Sequence, residues 1–365
     1  MTSALTHVAI DARMIRHSGI GTAIRGLLHG WRETPPPFDL TLMGDPGKLP
    51  EERNGQRHAQ YTQGPYSLGA ALLPAPVGSA QVVLAPHYAA PLWPRVPLVA
   101  IIHDLIHITH PTRRGTPAYM KAWLAVLRRR AAYIVTPSRH TKVQLQTLHG
   151  FAAHRVLTLP WGPGLAGMAE AREPAGGVLP GEPYLLSVGI DKPHKNWRFL
   201  IERLAGLWKS GALELPLAVA GMDAPGRERL KAIARRAGAA DDRLRFLPWM
   251  DDGAMLAAYA GARALLFPSA IEGFGFPVIE AMAMGTPVVA ADLPPMNEVG
   301  AGALALFDPD RPASFDEAVL HILGDDSLRA SLRAAGQRRA AEHAWPKLAS
   351  RMADVLARAA AERPD

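Results

Sequence analysis

The chain alternates short apolar runs with longer segments in which apolar residues recur every three or four positions. The apolar runs have the length of buried strands, and the clearest are 96–102, 184–188 and 264–269. Strands that alternate with helices along a chain form parallel sheets with helices on both faces. The pattern therefore predicts an α/β protein with mainly parallel sheets.

The clearest amphipathic helix of the first half is predicted over residues 117–133. Its apolar side carries Met120, Trp123, Leu124 and Leu127, while Lys121 and three consecutive arginines at 128–130 lie on the polar side. Such a helix packs on a core with a solvated basic face, or it lies on a membrane surface. Both interpretations remain open at this point.

Length and local composition predict two domains. The chain has 365 residues, which is long for one hydrophobic core, and the strand–helix alternation restarts after a stretch rich in Gly, Pro and Ala. We predict a first domain over 1–165, a linker over 166–182 and a second domain over 183–345. A C-terminal helix within 346–365 is expected to pack back on the first domain.

Composition narrows the functional classes. The chain has 48% hydrophobic and 20% charged residues, as globular proteins do. It contains no cysteine, which excludes disulfides and the chemistry of a cysteine thiolate. No apolar run has the length of a membrane span, and the first residues lack the pattern of a signal peptide. These features favour a cytoplasmic protein.

Charge is distributed unevenly between the two halves. Residues 1–170 contain 17 Lys and Arg against 8 Asp and Glu, whereas the remainder contains 23 against 25. A basic first half fits phosphate-bearing substrates or an anionic membrane surface. Nucleic acid is disfavoured, because no recognition motif or interleaved aromatic stripe accompanies the charge.

The most informative stretch is EGFGFPVIEAMAMG at 272–285. It follows an apolar strand, contains Gly273 and Gly275 in the turn, and opens a helix near Pro277. The first amides of a helix favour an anion, and glycines let a ligand approach the backbone. Glu272 and Glu280 would then face the sugar hydroxyls of the same ligand. The alternative is a turn that needs glycine for shape, flanked by two solvated glutamates.

Other candidate residues also follow predicted strands. Gly19 and Gly21 lie in a strand-to-helix turn, Lys192 and Lys195 follow the strand at 184–188, and His103 follows the run at 96–102. Ligands of open parallel sheets bind outside the carboxyl ends of the strands. We therefore expect phosphate contacts from the glycines and lysines, although each pattern alone is also common in loops without function.

His103, Asp104, His107 and His110 form a candidate metal-binding cluster. The HExxH pattern is absent, and no other helix presents two ligands at the required spacing. We therefore expect no metal and no cofactor.

Taken together, these segments resemble the retaining glycosyltransferases of the GT-B fold in glycosyltransferase family 4, and most closely the bacterial polysaccharide mannosyltransferases. The resemblance covers nearly the whole chain. Its most specific part is the spacing of two glutamates by seven residues in EGFGFPVIEAMAMGTPVVA. The other parts are IDARMIRHSGIGT, IIHDLIH with the following PTRRGTP, and VGIDKPHKNW.

The resemblance implies two Rossmann-like domains whose parallel sheets face a central cleft, with the acceptor bound by the first domain and the donor by the second. It implies that Glu272 binds the transferred sugar, that Glu280 binds the ribose and that Lys195 neutralises the diphosphate. His103, Glu272 and Lys195 would be the catalytic residues. Donor binding would involve Gly19, Gly21, Lys192, Gly273, Phe274, Gly275, Phe276 and Glu280.

Two positions depart from the family pattern. The family usually has Arg-Lys where this chain has His194-Lys195, so Lys192 is a candidate for supplying the missing charge. A glycine is usual where Pro248 stands, and this leaves the base-contacting role of 248–251 open.

The implied function is metal-independent transfer of a sugar, mannose from GDP-mannose, to a saccharide or polyprenyl-linked acceptor in polysaccharide biosynthesis. The implied location is cytoplasmic, with peripheral contact at the inner face of the cell membrane. Competing interpretations are a sugar-nucleotide epimerase, a phosphorylase, a non-catalytic sugar-nucleotide-binding protein and a metallohydrolase that uses the histidines at 103–110.

Overall fold

The computed structural model describes residues 5–17, 19–52, 56–67, 69, 73–91, 96–111, 114–164 and 182–362. The chain divides into two compact units. Met1–Gly164 and Ala344–Asp365 form the first unit, and Leu165–His343 form the second. All but the last residue of the predicted linker, 166–182, lies outside the described residues.

The first unit is built on a parallel sheet with the strand order β3-β2-β1-β4-β5-β6-β7. The strands are β1 (His7–Asp11), β2 (Asp39–Gly44), β3 (Gln56–Gln60), β4 (Val82–Ala85), β5 (Leu98–Ile101), β6 (Ala131–Thr136) and β7 (Val156–Thr158). The helices between them are α1 (Ile20–Glu33), α2 (Ile106–Thr109), α3 (Thr116–Arg130) and α4 (Arg139–His149). Central strands such as β4 and β5 are buried along their whole length, which explains their unbroken apolar sequences.

The second unit repeats this plan with the strand order β10-β9-β8-β11-β12-β13. Its strands are β8 (Leu185–Val188), β9 (Leu217–Ala220), β10 (Leu244–Phe246), β11 (Ala264–Phe267), β12 (Val288–Ala291) and β13 (Ala305–Phe307). Its helices are α5 (Trp197–Lys209), α6 (Ala224–Arg236), α7 (Asp252–Gly261), α8 (Phe276–Ala283), α9 (Pro294–Gly300), α10 (Ala313–Gly324) and α11 (Asp326–Glu342). The last helix, α12 (Trp345–Ala361), belongs to the first unit. None of the described helices is long and apolar enough to span a membrane.

The predicted α/β class with parallel sheets is confirmed, and the errors are local. The helix predicted over 117–133 ends at Arg130, because Ala131–Thr136 pairs with β5 as strand β6. Strand β3 was not predicted, since its sequence QRHAQ is polar and it lies at the edge of the sheet. Periodicity finds buried elements and misses edge strands whose side chains face water.

Helix α12 is anchored on α1 through two glycines. A Cβ atom at Gly26 would lie 2.1 Å from the ring of Trp345, and one at Gly30 would lie 2.7 Å from Ala349 Cβ. The indole N–H of Trp31 donates to the Ala349 carbonyl at 2.8 Å. Trp345 is only 2% exposed, and burying an aromatic side chain of this kind stabilises the fold by about 3 kcal/mol.

We predict that Gly26→Ala destabilises the protein by about 1 to 3 kcal/mol, because the added methyl group forces Trp345 out of its place. Gly206→Ala is the matched control. Gly206 also lies inside a helix, α5, but no atom lies within 4 Å of the position of its Cβ. The control should gain about 0.4 to 1 kcal/mol from the lower entropy of the unfolded chain. Calorimetric unfolding of both variants measures the difference, and equal midpoints would contradict the packing argument.

Candidate functional site

Two neighbouring strands bring the central candidate residues of the second unit together. Strands β8 and β11 pair in parallel, so the loops at their carboxyl ends lie side by side. The backbone N–H of Ala270 in one loop donates to the His194 carbonyl in the other at 2.8 Å. This contact joins the loop that carries Lys195 to the loop that carries Glu272.

The side chains of Lys195 and Glu272 form an ion pair in this place. The Nζ atom of Lys195 lies 2.6 Å from Glu272 Oε1, and the two side chains are only 15% and 12% exposed. The ammonium group also lies 5.1 Å from the centre of the Phe267 ring. Partly buried charges of this kind are stable only while each has a partner. A ligand whose anionic group pairs with Lys195 must therefore also offer a hydrogen-bond donor to Glu272.

The turn between β11 and α8 shows why its residues are small or apolar. Gly275 has φ +95°, which a residue with a side chain rarely adopts, and a Cβ atom there would lie 2.8 Å from Met296 Cε. The Phe274 ring is buried against Phe276 and His343, with ring centres 5.6 and 6.1 Å away. The ring of Phe274 is therefore part of the packing, and its contact with a ligand would be through the backbone.

Helix α8 begins at this turn with Phe276, which has a backbone N–H, and Pro277, which has none. The first amides that donate within it are those of Val278 and Ile279, and both point to the Gly275 carbonyl. The N–H groups at the start of a helix have no partner inside the helix and carry its positive dipole end. This end of α8 lies four residues after Glu272 in the chain, which suits it to the anionic part of a ligand that also reaches the glutamate.

Glu280 is buried, which contradicts the alternative of two solvated glutamates. It is the fifth residue of α8, it is 8% exposed, and its Oε2 atom accepts the Tyr259 hydroxyl at 2.8 Å. Burial and the nearby Glu280 carboxylate raise the pKa of Tyr259 well above its ordinary value, so the tyrosine remains a donor. The geometry fixes the orientation of the carboxylate, and its proposed ribose contact stays a prediction.

Lys192 is exposed just before Lys195, in the loop that continues into α5. Its neighbour Asp191 pairs with Arg229 of α6, which holds the loop against that helix. The arginine that the family pattern usually has is replaced by His194, and the backbone of this residue is used in the contact between the loops. Lys195 is thus the cation that the described contacts bring to Glu272.

In the first unit, the two glycines of the β1–α1 turn have different reasons to be glycine. Gly19 caps α1 with φ +74°, and nothing lies within 4 Å of the position of its Cβ. A Cβ atom at Gly21 would lie 2.3 Å from the Ile15 carbonyl oxygen, and its amide donates to the His17 carbonyl. The chain's own packing therefore explains Gly21, and the predicted phosphate contact of this turn is not tested by these distances.

His103 follows β5 and is held from two sides. Its Nε2 atom lies 3.1 Å from the Pro86 carbonyl oxygen, and its ring centre lies 5.7 Å from that of Trp161. Trp161 is fully buried and stacks on Trp345, whose indole N–H donates to the Pro163 carbonyl at 2.8 Å. The imidazole therefore rests on two stacked tryptophans at the start of α12.

The protonation state of His103 follows from these neighbours. Burial is the main cause that lowers the pKa of His103 to about 4. The positive charge of His87 lowers it further, and the hydrogen bond to Pro86 raises it in part. The ring is thus neutral near pH 7. Since a carbonyl oxygen can only accept, Nε2 carries the proton and Nδ1 carries the lone pair. A neutral imidazole of this tautomer can accept a hydrogen bond from a sugar hydroxyl.

Sequence interpretation missed a buried ionic cluster beside this histidine. The Arg13 guanidinium donates to both carboxylate oxygens of Asp11, at 2.8 and 2.5 Å, and lies 4.0 Å from the centre of the Tyr61 ring. His87 Nε2 lies 3.1 Å from the same carboxylate. Burial raises the pKa of Asp11, but His87 and Arg13 lower it more, and it ends well below its ordinary value.

The rule that pointed to His103 could have found this cluster. Asp11 is the last residue of β1, and His87 follows β4 by two residues. Strands β1, β4 and β5 are neighbours in the sheet, so their carboxyl ends deliver Asp11, His87 and His103 to one edge. The signal was a polar residue at the end of each buried strand or two residues beyond it.

The four residues of the candidate metal-binding cluster have other surroundings in the structure. Asp104 accepts the Ile106 amide at 2.9 Å just before α2, while His107 and His110 are exposed. Among the described residues, no group of three or more His, Cys, Asp or Glu side chains is placed to hold a metal ion.

Comparison with known proteins gives the chain a family context. Residues 170–339 match the family described as glycosyl transferases group 1. The O-antigen chain mannosyltransferase B of Escherichia coli is 29% identical over 260 residues, which are 68% of this chain and 66% of that protein. The O-antigen chain mannosyltransferase RfbU of Salmonella typhimurium is 25% identical over 249 residues, which are 67% and 65% of the two chains. The matches thus span slightly less than two thirds of these relatives.

Solved structures agree with the fold over almost the whole chain. The sucrose-phosphate synthase from Thermosynechococcus elongatus superposes with a TM-score of 0.76 at 17% identity, covering 96% of this chain and 98% of that one. Anabaena HepE, solved in complex with UDP and glucose, gives 0.72 at 17% identity over 97% and 100% of the chains. These likenesses establish the GT-B fold.

We predict that Trp161→Leu raises the pKa of His103 toward its ordinary value, because water reaches the imidazole once the indole is gone. Trp161→Phe keeps a ring over the imidazole and should leave the pKa low. The histidine signals in an NMR titration report the pKa of each variant. An unchanged titration in Trp161→Leu would show that other groups bury His103.

The same pKa shift has a consequence for stability. Between about pH 4 and pH 6.5 the unfolded chain binds a proton at His103 that the folded chain rejects, so the free energy of unfolding falls as the pH falls through this range. Replacing His103 with Gln should remove this share of the acid sensitivity. Chemical unfolding of both proteins at several pH values measures it.

Proposed function

We propose that the chain is a retaining hexosyltransferase, because residues 170–339 match the group 1 glycosyl transferases and bacterial mannosyltransferases are similar to it over about two thirds of its length. It moves mannose from GDP-mannose to a saccharide or polyprenyl-linked saccharide acceptor in polysaccharide biosynthesis. The observation that carries the proposal is the Lys195–Glu272 pair beside the start of α8.

The pair supplies two kinds of contact that a nucleotide sugar needs. A diphosphate is recognised by a cation and by helix N-terminal amides, and sugar hydroxyls are recognised by a carboxylate. When a donor binds, Lys195 turns from Glu272 to the diphosphate, and Glu272 accepts hydrogen bonds from the hydroxyls of the sugar. Both charges keep a partner, so the exchange avoids leaving one of them buried and unpaired.

The chemical step needs stabilisation of a leaving diphosphate. The acceptor hydroxyl forms a bond to the anomeric carbon on the face from which the diphosphate departs, and the carbon–oxygen bond to the diphosphate breaks. The departing phosphate oxygen takes the hydroxyl proton, and the configuration is retained. Lys195 and the start of α8 stabilise the negative charge that develops, which is a large term in such transfers.

No metal or cofactor is part of the proposed reaction. Lys195 and the N-terminal amides of α8 supply the positive charge that a divalent ion supplies in other phosphate sites. Transfer should therefore be unaffected by a chelator.

The proposed sugar and acceptor rest on the names of the relatives. Both bacterial relatives described above are named O-antigen chain mannosyltransferases. A polysaccharide chain of this kind is the proposed acceptor, and peripheral association with the inner face of the cell membrane is the proposed location.

We predict that Lys195→Met and Glu272→Gln each reduce turnover by about 10²-fold, the usual cost of losing one preorganised electrostatic contact. The double variant should lose less than the product of the two effects, because the residues contact each other. Lys209→Met removes an exposed lysine at the end of α5 and should leave turnover unchanged. The rate of sugar transfer from GDP-mannose is measured for all four variants and compared with that of the unchanged protein.

The same assay separates the alternatives. Near-normal transfer by Lys195→Met or Glu272→Gln would overturn the assignment of the site. Conversion of the donor sugar without any acceptor would indicate an epimerase.

A thermal-shift series of nucleotide sugars tests the donor, because a ligand that binds only the folded protein raises its melting temperature by mass action. Stabilisation by a uridine sugar and not by GDP-mannose would refute the proposed donor.

A further inference from the structure

The segment 86–88, which follows strand β4, holds the residues after strand β5 at two points. The Pro86 carbonyl oxygen lies 3.1 Å from His103 Nε2, and the Tyr88 hydroxyl donates to the Asp104 carbonyl. Burial and the Asp104 carboxylate raise the pKa of Tyr88 well above its ordinary value, so the phenol keeps its proton and remains a donor. The place of His103 therefore depends on the place of this segment.

The middle residue of the segment is anchored in another direction. His87 is only 1% exposed, and its Nε2 atom lies 3.1 Å from Asp11 Oδ2 at the end of β1. Its Nδ1 atom has no hydrogen-bond partner in the part of the chain that the structure describes. The Asp11 carboxylate is thus the polar group that orients this imidazole, and the contact joins the segment 86–88 to β1.

The carboxylate is itself held in one orientation. The Arg13 guanidinium donates to both oxygens of Asp11, and a two-point contact of this kind fixes the plane of the carboxylate. Another N–H of Arg13 donates to the Gln63 carbonyl at 2.9 Å, in the loop after β3, and the Tyr66 ring of this loop has its centre 6.0 Å from that of His87. The ionic cluster of Asp11, Arg13 and His87 therefore ties together the chain after β1, β3 and β4.

Pro86 makes the segment depend on these contacts. Strand β4 pairs with β5 as far as Ala85 and Ala100. Proline has no backbone N–H and cannot continue the strand as a donor, while its carbonyl faces His103. Beyond the last strand pair, side-chain contacts with β1 and with the residues after β5 take the place of the sheet's hydrogen bonds.

Stability alone does not account for the ionic cluster. Asp11 is fully buried and the Arg13 side chain nearly so, and taking both charges out of water is costly. Apolar side chains of similar volume often stabilise a core equally well or better. Hydrogen-bonded charges add direction, because each contact depends on distance and angle. Such a cluster suits a place where one side chain must be held in one orientation.

We propose that Asp11, Arg13 and His87 are positioning residues that fix the orientation and the tautomer of His103. They act through the segment 86–88, whose Pro86 carbonyl accepts the Nε2 proton of His103 and leaves Nδ1 free to accept a hydrogen bond from a sugar hydroxyl. The inference rests on the proposed transfer for its purpose. The tautomer of His103 is measured without donor or acceptor, so the proposal can fail while the transferase assignment stands, and the reverse.

The central variant is His87→Leu. It removes the contact with Asp11 but leaves the carboxylate paired with Arg13, so neither buried charge loses its last partner. In the full chain labelled with nitrogen-15, the chemical shifts of the imidazole nitrogens report which nitrogen of His103 carries the proton. Near pH 7, where this ring is neutral, we expect one tautomer in the unchanged protein and a mixture of both in His87→Leu. A single, unchanged tautomer in the variant would overturn the proposal.

His87→Gln is the conservative variant, because its amide N–H can still donate to Asp11. It should keep the single tautomer of His103. Both substitutions remove the imidazole and its charge, so they differ in the donor that faces the carboxylate. Equal effects of His87→Gln and His87→Leu would contradict the proposed role of the contact with Asp11.

The rate of sugar transfer gives the functional measurement. We expect His87→Leu to lower kcat by about 10- to 100-fold and to change KM for GDP-mannose by less than about threefold, because a displaced catalytic group costs rate more than binding. His87→Gln should lose less. A lower melting temperature of His87→Leu with an unchanged kcat would show that the cluster only stabilises the fold.

Two further variants complete the test. Tyr88→Phe removes one hydroxyl and tests the segment even where His87→Leu does not fold. It should lower kcat by about fivefold, as expected for one lost hydrogen bond, and an unchanged kcat and tautomer would refute the role of the segment. His58→Leu is the matched control, because it removes another histidine–carboxylate contact of the same unit, 3.6 Å from Glu52 in strand β3. It should leave the His103 tautomer and kcat unchanged, and a loss equal to that of His87→Leu would contradict a specific role of His87.

Discussion

The chemistry of this protein is constrained by the burial of its parallel strands. A strand covered on both faces has no place for an unpaired polar group, so the polar side chains stand where the strands end. In the second unit the ends of β8 and β11 deliver Lys195 and Glu272 to one place. In the first unit β1, β4 and β5 do the same for Asp11, His87 and His103. Each group of residues exists because neighbouring strands end together.

The charges at these strand ends are held by specific partners. Asp11 is fully buried and remains ionised because Arg13 and His87 face it, while Glu280 is oriented by the Tyr259 hydroxyl. Lys195 and Glu272 hold each other in the same way. Removing one partner from such a pair leaves the other charge without compensation, which costs more than the pair contributes. These residues are therefore coupled, and a substitution at one changes the state of its neighbour.

Sequence interpretation found the parts of the site that carry a local signal. Glu272, Glu280 and Lys195 lie in segments with glycine turns and strand ends, and the structure brings Lys195 and Glu272 into contact. It missed Asp11, Arg13 and His87, because their importance comes from strands 70 residues apart in sequence meeting side by side. It also could not tell that position 21 must be glycine because a Cβ atom there would clash with the Ile15 carbonyl oxygen. That clash depends on the path of the turn.

By itself the sequence determined the alternation of strands and helices, the absence of cysteine and the concentration of positive charge in the first half. These properties are local or additive, so they can be read from spacing and composition. The sequence also led to the expectation that the last helix packs on the first unit, but the tertiary structure alone decided how it does so, with Trp345 beside Gly26 and stacked on Trp161 behind His103. These contacts join residues far apart in the chain, and their energy comes from close packing, which no local pattern of residues encodes.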